Sequence, residues 1–123
     1  MHRIVIAAAA LAILTAPCFA GEEVMANYFG NTVVSSGSFG VSRMHYKPDH
    51  TFDVSLHVLG IRHGTTGTWK FDDKGQLCRF YGEVPPGMPN PLCTPWQSHK
   101  IGDSWTMAFN GSSRSISLVK GIE

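Results

Sequence analysis

The sequence predicts an all-β domain, a small antiparallel barrel or sandwich of about six to eight strands. Three observations predict it. Most apolar runs alternate with polar residues instead of recurring at helical spacing. Gly, Asp and Asn punctuate those runs about every ten residues, as in consecutive hairpins. Thirteen glycines and seven prolines among 123 residues leave few stretches that a helix would tolerate.

The first twenty residues, MHRIVIAAAALAILTAPCFA, are set apart from the domain. Arg3 supplies a positive start, residues 4–14 an apolar run, Pro17 a break, and Cys18 and Ala20 small residues before a cleavage point. That pattern is a secretory signal peptide, too short to span a bilayer core of about 30 Å. Cleavage is expected after Ala20, leaving residues 21–123 as one domain with no transmembrane segment, periplasmic or secreted. The alternative is a lipoprotein acylated on Cys18, but Pro17 stands where Gly, Ala or Ser would normally precede such a cysteine.

The elements then follow in order. "EEVMANYF", residues 22–29, reads as a helical turn with acids at its start and Gly30 at its end, or as an extended lead-in. "NTVVSSG", "SFGVSRMHY" and "TFDVSLHVL" read as three strands, the last two joined by "KPDH". There Pro48 and Asp49 suit the centre of a type I turn, and His50 takes the left-handed position that follows. "GTTGTWKF" and "QLCRFY" are joined by "DDKG", and "DSWTMAF" and "SRSISLVK" by the hairpin signal Asn110-Gly111. Between those hairpins the Pro-rich stretch 83–91 is expected to be irregular.

Arg3 leaves with the signal peptide, so nine of the ten Lys/Arg remain against nine Asp/Glu. A balanced charge offers no basic stripe for nucleic acid or an anionic membrane. Cys78 and Cys93 also remain, the right number for one disulfide in an oxidising compartment, and it would tether the Pro-rich loop.

"MHYKPDHTFDVSLHVLGIRH" places four of the six histidines in twenty residues. If Lys47 pairs with Thr51, then Tyr46 faces Phe52, His45 faces Asp53, Met44 faces Val54 and Arg43 faces Ser55. Alternation puts Met44, Tyr46, Phe52 and Val54 on the apolar face, and His45, Asp53 and His57 on the polar one. His57 is then roughly 13 Å along the strand from Asp53, too far to share an ion with His45. His45 and Asp53 are candidates for an oriented acid–base pair. His57 and His63 would lie opposite each other if Leu59-Gly60-Ile61 formed the turn, and with His99 they are the candidate metal ligands. The plainer expectation is that these histidines are ordinary surface and turn residues.

Large aromatics are expected mainly in the core. Trp96, after Pro95, with Tyr81 and Tyr46, is the candidate lining of a barrel mouth that stacks on an apolar or sugar-like ligand. No nucleophile elbow, zinc-protease, phosphate-loop or haem-attachment motif occurs, so no cofactor is expected.

"YFGNTVV", "YKPDHTF", "GTWKFDDKGQLC", a second cysteine and "HKIGDSW" stand in an order that resembles small secreted proteobacterial proteins of unknown function. The resemblance implies a small β-rich periplasmic domain and no particular activity. His50 departs from the glycine usual at that turn. The fold expected is lipocalin-like in style. The function expected is non-catalytic binding of a small molecule or an envelope protein. A small periplasmic enzyme or metal-binding protein using the histidines, and a structural envelope component, are the alternatives.

Overall fold

A computed structural model describes residues 23–38, 40–84, 87–109 and 111–123, with Phe109 described by its backbone alone. The expected signal peptide, Cys18, Glu22, Pro85, Pro86 and Asn110 lie outside the described residues. The chain is all-β. Its strands are β1 (Thr32–Gly37), β2 (Gly40–Tyr46), β3 (Thr51–Val58), β4 (Ile61–Phe71), β5 (Gln76–Tyr81), β6 (Leu92–Pro95), β7 (Ser104–Phe109) and β8 (Ser112–Val119). They form one antiparallel sheet in the order β6-β5-β4-β3-β2-β1-β8-β7, curled into a half-barrel. The end strands β6 and β7 do not pair with each other, so a seam stays open between them. Among the described residues no helix is long and apolar enough to cross a membrane.

Alternation sets the inner face. Val33, Met44, Tyr46, Phe52, Trp69, Leu77, Ile116 and Leu118 point inward and form the buried core. The single helical turn at Glu23–Met25 runs into further turns that end at Gly30, whose φ of 77° needs no Cβ to be accommodated. It delivers Met25 and Tyr28, both fully buried, to that core. Tyr28 meets Tyr46 edge-on at 6.3 Å and Trp96 at 5.3 Å, while Phe29 lies 6.0 Å from Trp69.

The β2–β3 hairpin has the expected register: Tyr46 opposes Phe52, His45 opposes Asp53, Met44 opposes Val54 and Arg43 opposes Ser55. Lys47 donates its amide to Thr51 O at 2.9 Å, and His50 has φ 71°. The β3–β4 connection differs from expectation. Val58 pairs with Ile61, so the turn is the two residues Leu59 and Gly60, with φ 52° and 81°. Two positive φ angles make this a type I′ turn, which suits the twist of the strands but usually selects Asn or Gly where Leu59 stands. β4 consequently begins at Ile61, and Leu59 is 96% exposed at the tip.

The β6 strand was not expected either. Its short ladder to β5 tolerates Pro95 because an edge strand needs hydrogen bonds on one side only. Cys78 opposes Cys93 in that ladder, and a disulfide joins them. It closes a loop of sequence separation 15, worth about 3 kcal/mol in the chain-entropy model.

Two outcomes are expected. Reducing Cys78–Cys93 should lower the free energy of urea unfolding by about 3 kcal/mol. At Gly67 an added Cβ would lie 2.2 Å from Phe80 O and 2.6 Å from Phe52 Cζ, whereas at Gly64 the nearest atom is Val54 O at 3.7 Å. Gly67→Ala should therefore cost about 1–3 kcal/mol. Gly64→Ala, on the same strand, should leave the unfolding midpoint near that of the parent protein.

Candidate functional site

Aromatic and polar side chains gather at the open seam. The segment after β6 turns inward, and Trp96 packs on Tyr28 and Tyr46. The N-terminal turn ties it down: Tyr28 Oη donates to Gln97 O at 2.7 Å, and Asn27 Nδ2 donates to His99 O at 2.9 Å. Across the seam, β7 presents Trp105, Thr106 and Met107. Between these walls lies a cleft of about 280 Å³, lined by Tyr28, Trp96, His99, Trp105 and Met107 among others. His99 stacks on Trp105 with ring centroids 3.5 Å apart and planes inclined by 2°. Asp103 holds that ring in place, its Oδ2 lying 3.4 Å from His99 Nδ1. The Lys100 amide and then His99 keep the Asp103 carboxyl below the usual carboxylate range. Trp96 Nε1 is buried without a hydrogen-bond partner among the described residues, an unusual state for an indole N–H.

Behind Trp96 sits Arg79. Register places it on the inner face of β5, opposite Trp69 and Leu92. Only 5% of it is exposed. Nε donates to Tyr46 Oη at 2.8 Å, Nη1 to Leu92 O at 3.2 Å and Nη2 to Thr94 Oγ1 at 2.8 Å. The guanidinium also lies 4.9 Å from the Trp96 ring centre. Two of the candidate ligand residues therefore meet at Arg79: Tyr46, which is buried and accepts its Nε–H, and Trp96, which stacks on it and lines the cleft. Tyr81 lies one inward position further along β5, its ring 5.2 Å from Phe52.

Reading the sequence missed Arg79. In "QLCRFY" either alternate set of residues can face inward, since Cys78 and Phe80 are as apolar as Leu77 and Tyr81. The available signal was the turn before it: Asp72 N donates to Gln76 O and Gly75 N to Asp72 O, which pairs Phe71 with Leu77. That register forces Arg79 inward with Leu77 and Tyr81.

The histidines do not come together as one site. His45 Nδ1 lies 2.6 Å from Asp53 Oδ1 on the outer face, and Lys47 Nζ is 3.4 Å from the other carboxylate oxygen. His45 Nε2, the atom a base would offer to substrate, is buried without a partner among the described residues. His50 stacks on Trp69 at 4.1 Å, as a turn residue packed on the core.

The two-residue turn at Leu59-Gly60 pairs His57 with Arg62 and His63 with Leu56. His57 and His63 therefore point to opposite faces of the sheet, which corrects the facing arrangement that the longer turn implied. A shift of one residue in register moves every side chain to the other face. His99 is engaged at the seam, on Trp105. Among the described residues, Asp72, Cys78 and Cys93 form a group of three potential donors close enough to share an ion, but both sulfurs belong to the disulfide.

Comparison with protein-family models, curated proteins and solved structures finds no match. The site's chemistry therefore rests on its own geometry.

All three tyrosines in the chain are held protonated. Burial pushes Tyr81 up to about 12, with Arg79 opposing the shift, and burial likewise raises Tyr28 and Tyr46. An unfolded tyrosine ionises near pH 10. The stability linked to the neutral Tyr81 phenol is thus complete below about pH 10 and is lost as pH rises through about 12. In an alkaline titration, tyrosinate absorbance should appear together with loss of the far-ultraviolet β signal. A free tyrosine titration with the fold intact would contradict the packing of all three rings.

Proposed function

We propose that this protein is a non-catalytic binding domain of the cell envelope, and that the seam cleft takes a small neutral ligand with a flat apolar or sugar-like face. The observation that carries this reading is a cleft at the open seam whose lining includes both Trp96 and Trp105, together with Tyr28 and Met107. Indole faces bind apolar and carbohydrate surfaces, and a cleft with a few convergent polar groups fixes orientation. The leader-like N-terminus and the disulfide both support an oxidising compartment outside the cytoplasm.

The His45–Asp53 pair gives less support to an enzyme. Its geometry orients an imidazole, but the free nitrogen is enclosed by protein on the outer face of the sheet, remote in register from the cleft-lining residues.

The test is a tryptophan fluorescence titration with neutral monosaccharides and with the neutral apolar dye Nile red. At least one of these probes should bind saturably, and Trp105→Ala should weaken that binding at least tenfold while the protein stays folded by circular dichroism. Binding that survives Trp105→Ala unchanged, or no saturable binding across the series, would overturn the reading.

A further inference from the structure

We propose that the concave face of the half-barrel holds a second site, for a small molecule carrying one anionic group, a carboxylate or a phosphate ester, on an apolar body, with Arg79 and Tyr81 gripping the anion and Arg114 adding a further positive charge. This inference does not depend on the seam cleft being occupied.

The argument begins with charge. A buried guanidinium is costly unless an anion accompanies it. Arg79 is nine-tenths buried, yet its acceptors, Tyr46 Oη, Leu92 O and Thr94 Oγ1, are all neutral. A guanidinium has five N–H groups in a planar fork, and no described residue accepts from the remaining two. Arg114 points to the same face from β8, where register sets it opposite Met107. It donates to Ser35 Oγ at 2.7 Å and more weakly to Ser35 O and Gly40 O. Again every acceptor is neutral. Asp53 is the carboxylate that the described strands carry, and it sits on the opposite face, engaged by His45 and Lys47. The concave face thus holds two cations and no strand-borne anion.

Tyr81 adds a donor. Its hydroxyl makes no hydrogen bond with a described residue. The phenol remains neutral over the physiological range, and it lies within electrostatic reach of both Arg79 and Arg114. Beside these donors the inner face is apolar: the Phe52 ring is 5.2 Å from Tyr81, and Leu77 and Trp69 flank Arg79 on the same face. Fixed N–H and O–H donors set among apolar side chains recognise an anionic head on an apolar body. Arg is the residue best shaped to take a carboxylate or phosphate with two hydrogen bonds.

The experiment titrates the purified, oxidised protein with octanoate, octyl phosphate and octanol by calorimetry. Octanoate or octyl phosphate should bind saturably and octanol at least tenfold more weakly; whichever anion binds more tightly identifies the head group. Tyr81→Phe removes only a hydroxyl with no described partner, so it should weaken anion binding about tenfold with the urea midpoint unchanged. Arg114→Gln should weaken binding and flatten its salt dependence. Trp105→Ala should leave anion binding intact, which separates this site from the seam cleft. Absence of saturable anion binding, equal binding of octanol, or full binding by both Tyr81→Phe and Arg114→Gln would overturn the proposal.

Discussion

A sheet that curls without closing has to cover its own inner face at the gap, and this requirement organises the rest of the molecule. β6 and β7 are its two free edges. β6 is short and ends in Pro95, which limits further pairing there. What spans the gap is not a strand but two irregular segments, the N-terminal turn and the chain that follows Pro95. Met25 and Tyr28 fill the space a closing strand would have roofed, and Tyr28 and Asn27 bond to the carbonyls of Gln97 and His99. The C-terminus supports the same end: Thr32 Oγ1 donates to Gly121 O and accepts from Glu123 N, and Gly121 N donates to Asn31 Oδ1. Irregular segments can meet at the seam without filling it, and this leaves the cleft between Trp96 and Trp105.

Arg79 ties that arrangement to the sheet. Its side chain joins β2 through Tyr46, β6 through Leu92 and Thr94, and the seam through Trp96. The disulfide joins β5 to β6 on the opposite face of the same ladder. The shortest ladder in the sheet is therefore held from both sides, covalently outside and by a guanidinium inside. An apolar residue at position 79 would fill the core at lower electrostatic cost. The charge is kept instead, held by three acceptors that are all neutral.

Much of the fold was legible in the sequence because hairpin geometry is local. Pro48, Asp49 and His50 specify their turn within a few residues, and with it the register that sets His45 against Asp53. The Leu59-Gly60 turn was misread because Leu is a rare choice at a positive φ, so nothing in the local residues announced a two-residue loop. One residue of error there was enough to place His57 and His63 wrongly on a common face. β6 was hidden by the prolines around it, since its ladder depends on a partner fifteen residues back, fixed by the disulfide.

The sequence by itself determined the all-β class, the hairpin order, the inward set of β2 and β3, and the pairing of the two cysteines. Alternation, turn chemistry and cysteine count act over short distances or need no geometry at all. Tertiary structure alone decided that the sheet stays open and that Trp96 and Trp105 line one cleft at the seam. It also decided that Arg79 and Arg114 both point to the inner face, where the described strands carry no carboxylate. These depend on how eight strands curl and on which segments cover the gap, contacts that span up to ninety-one residues of chain. No local pattern encodes them.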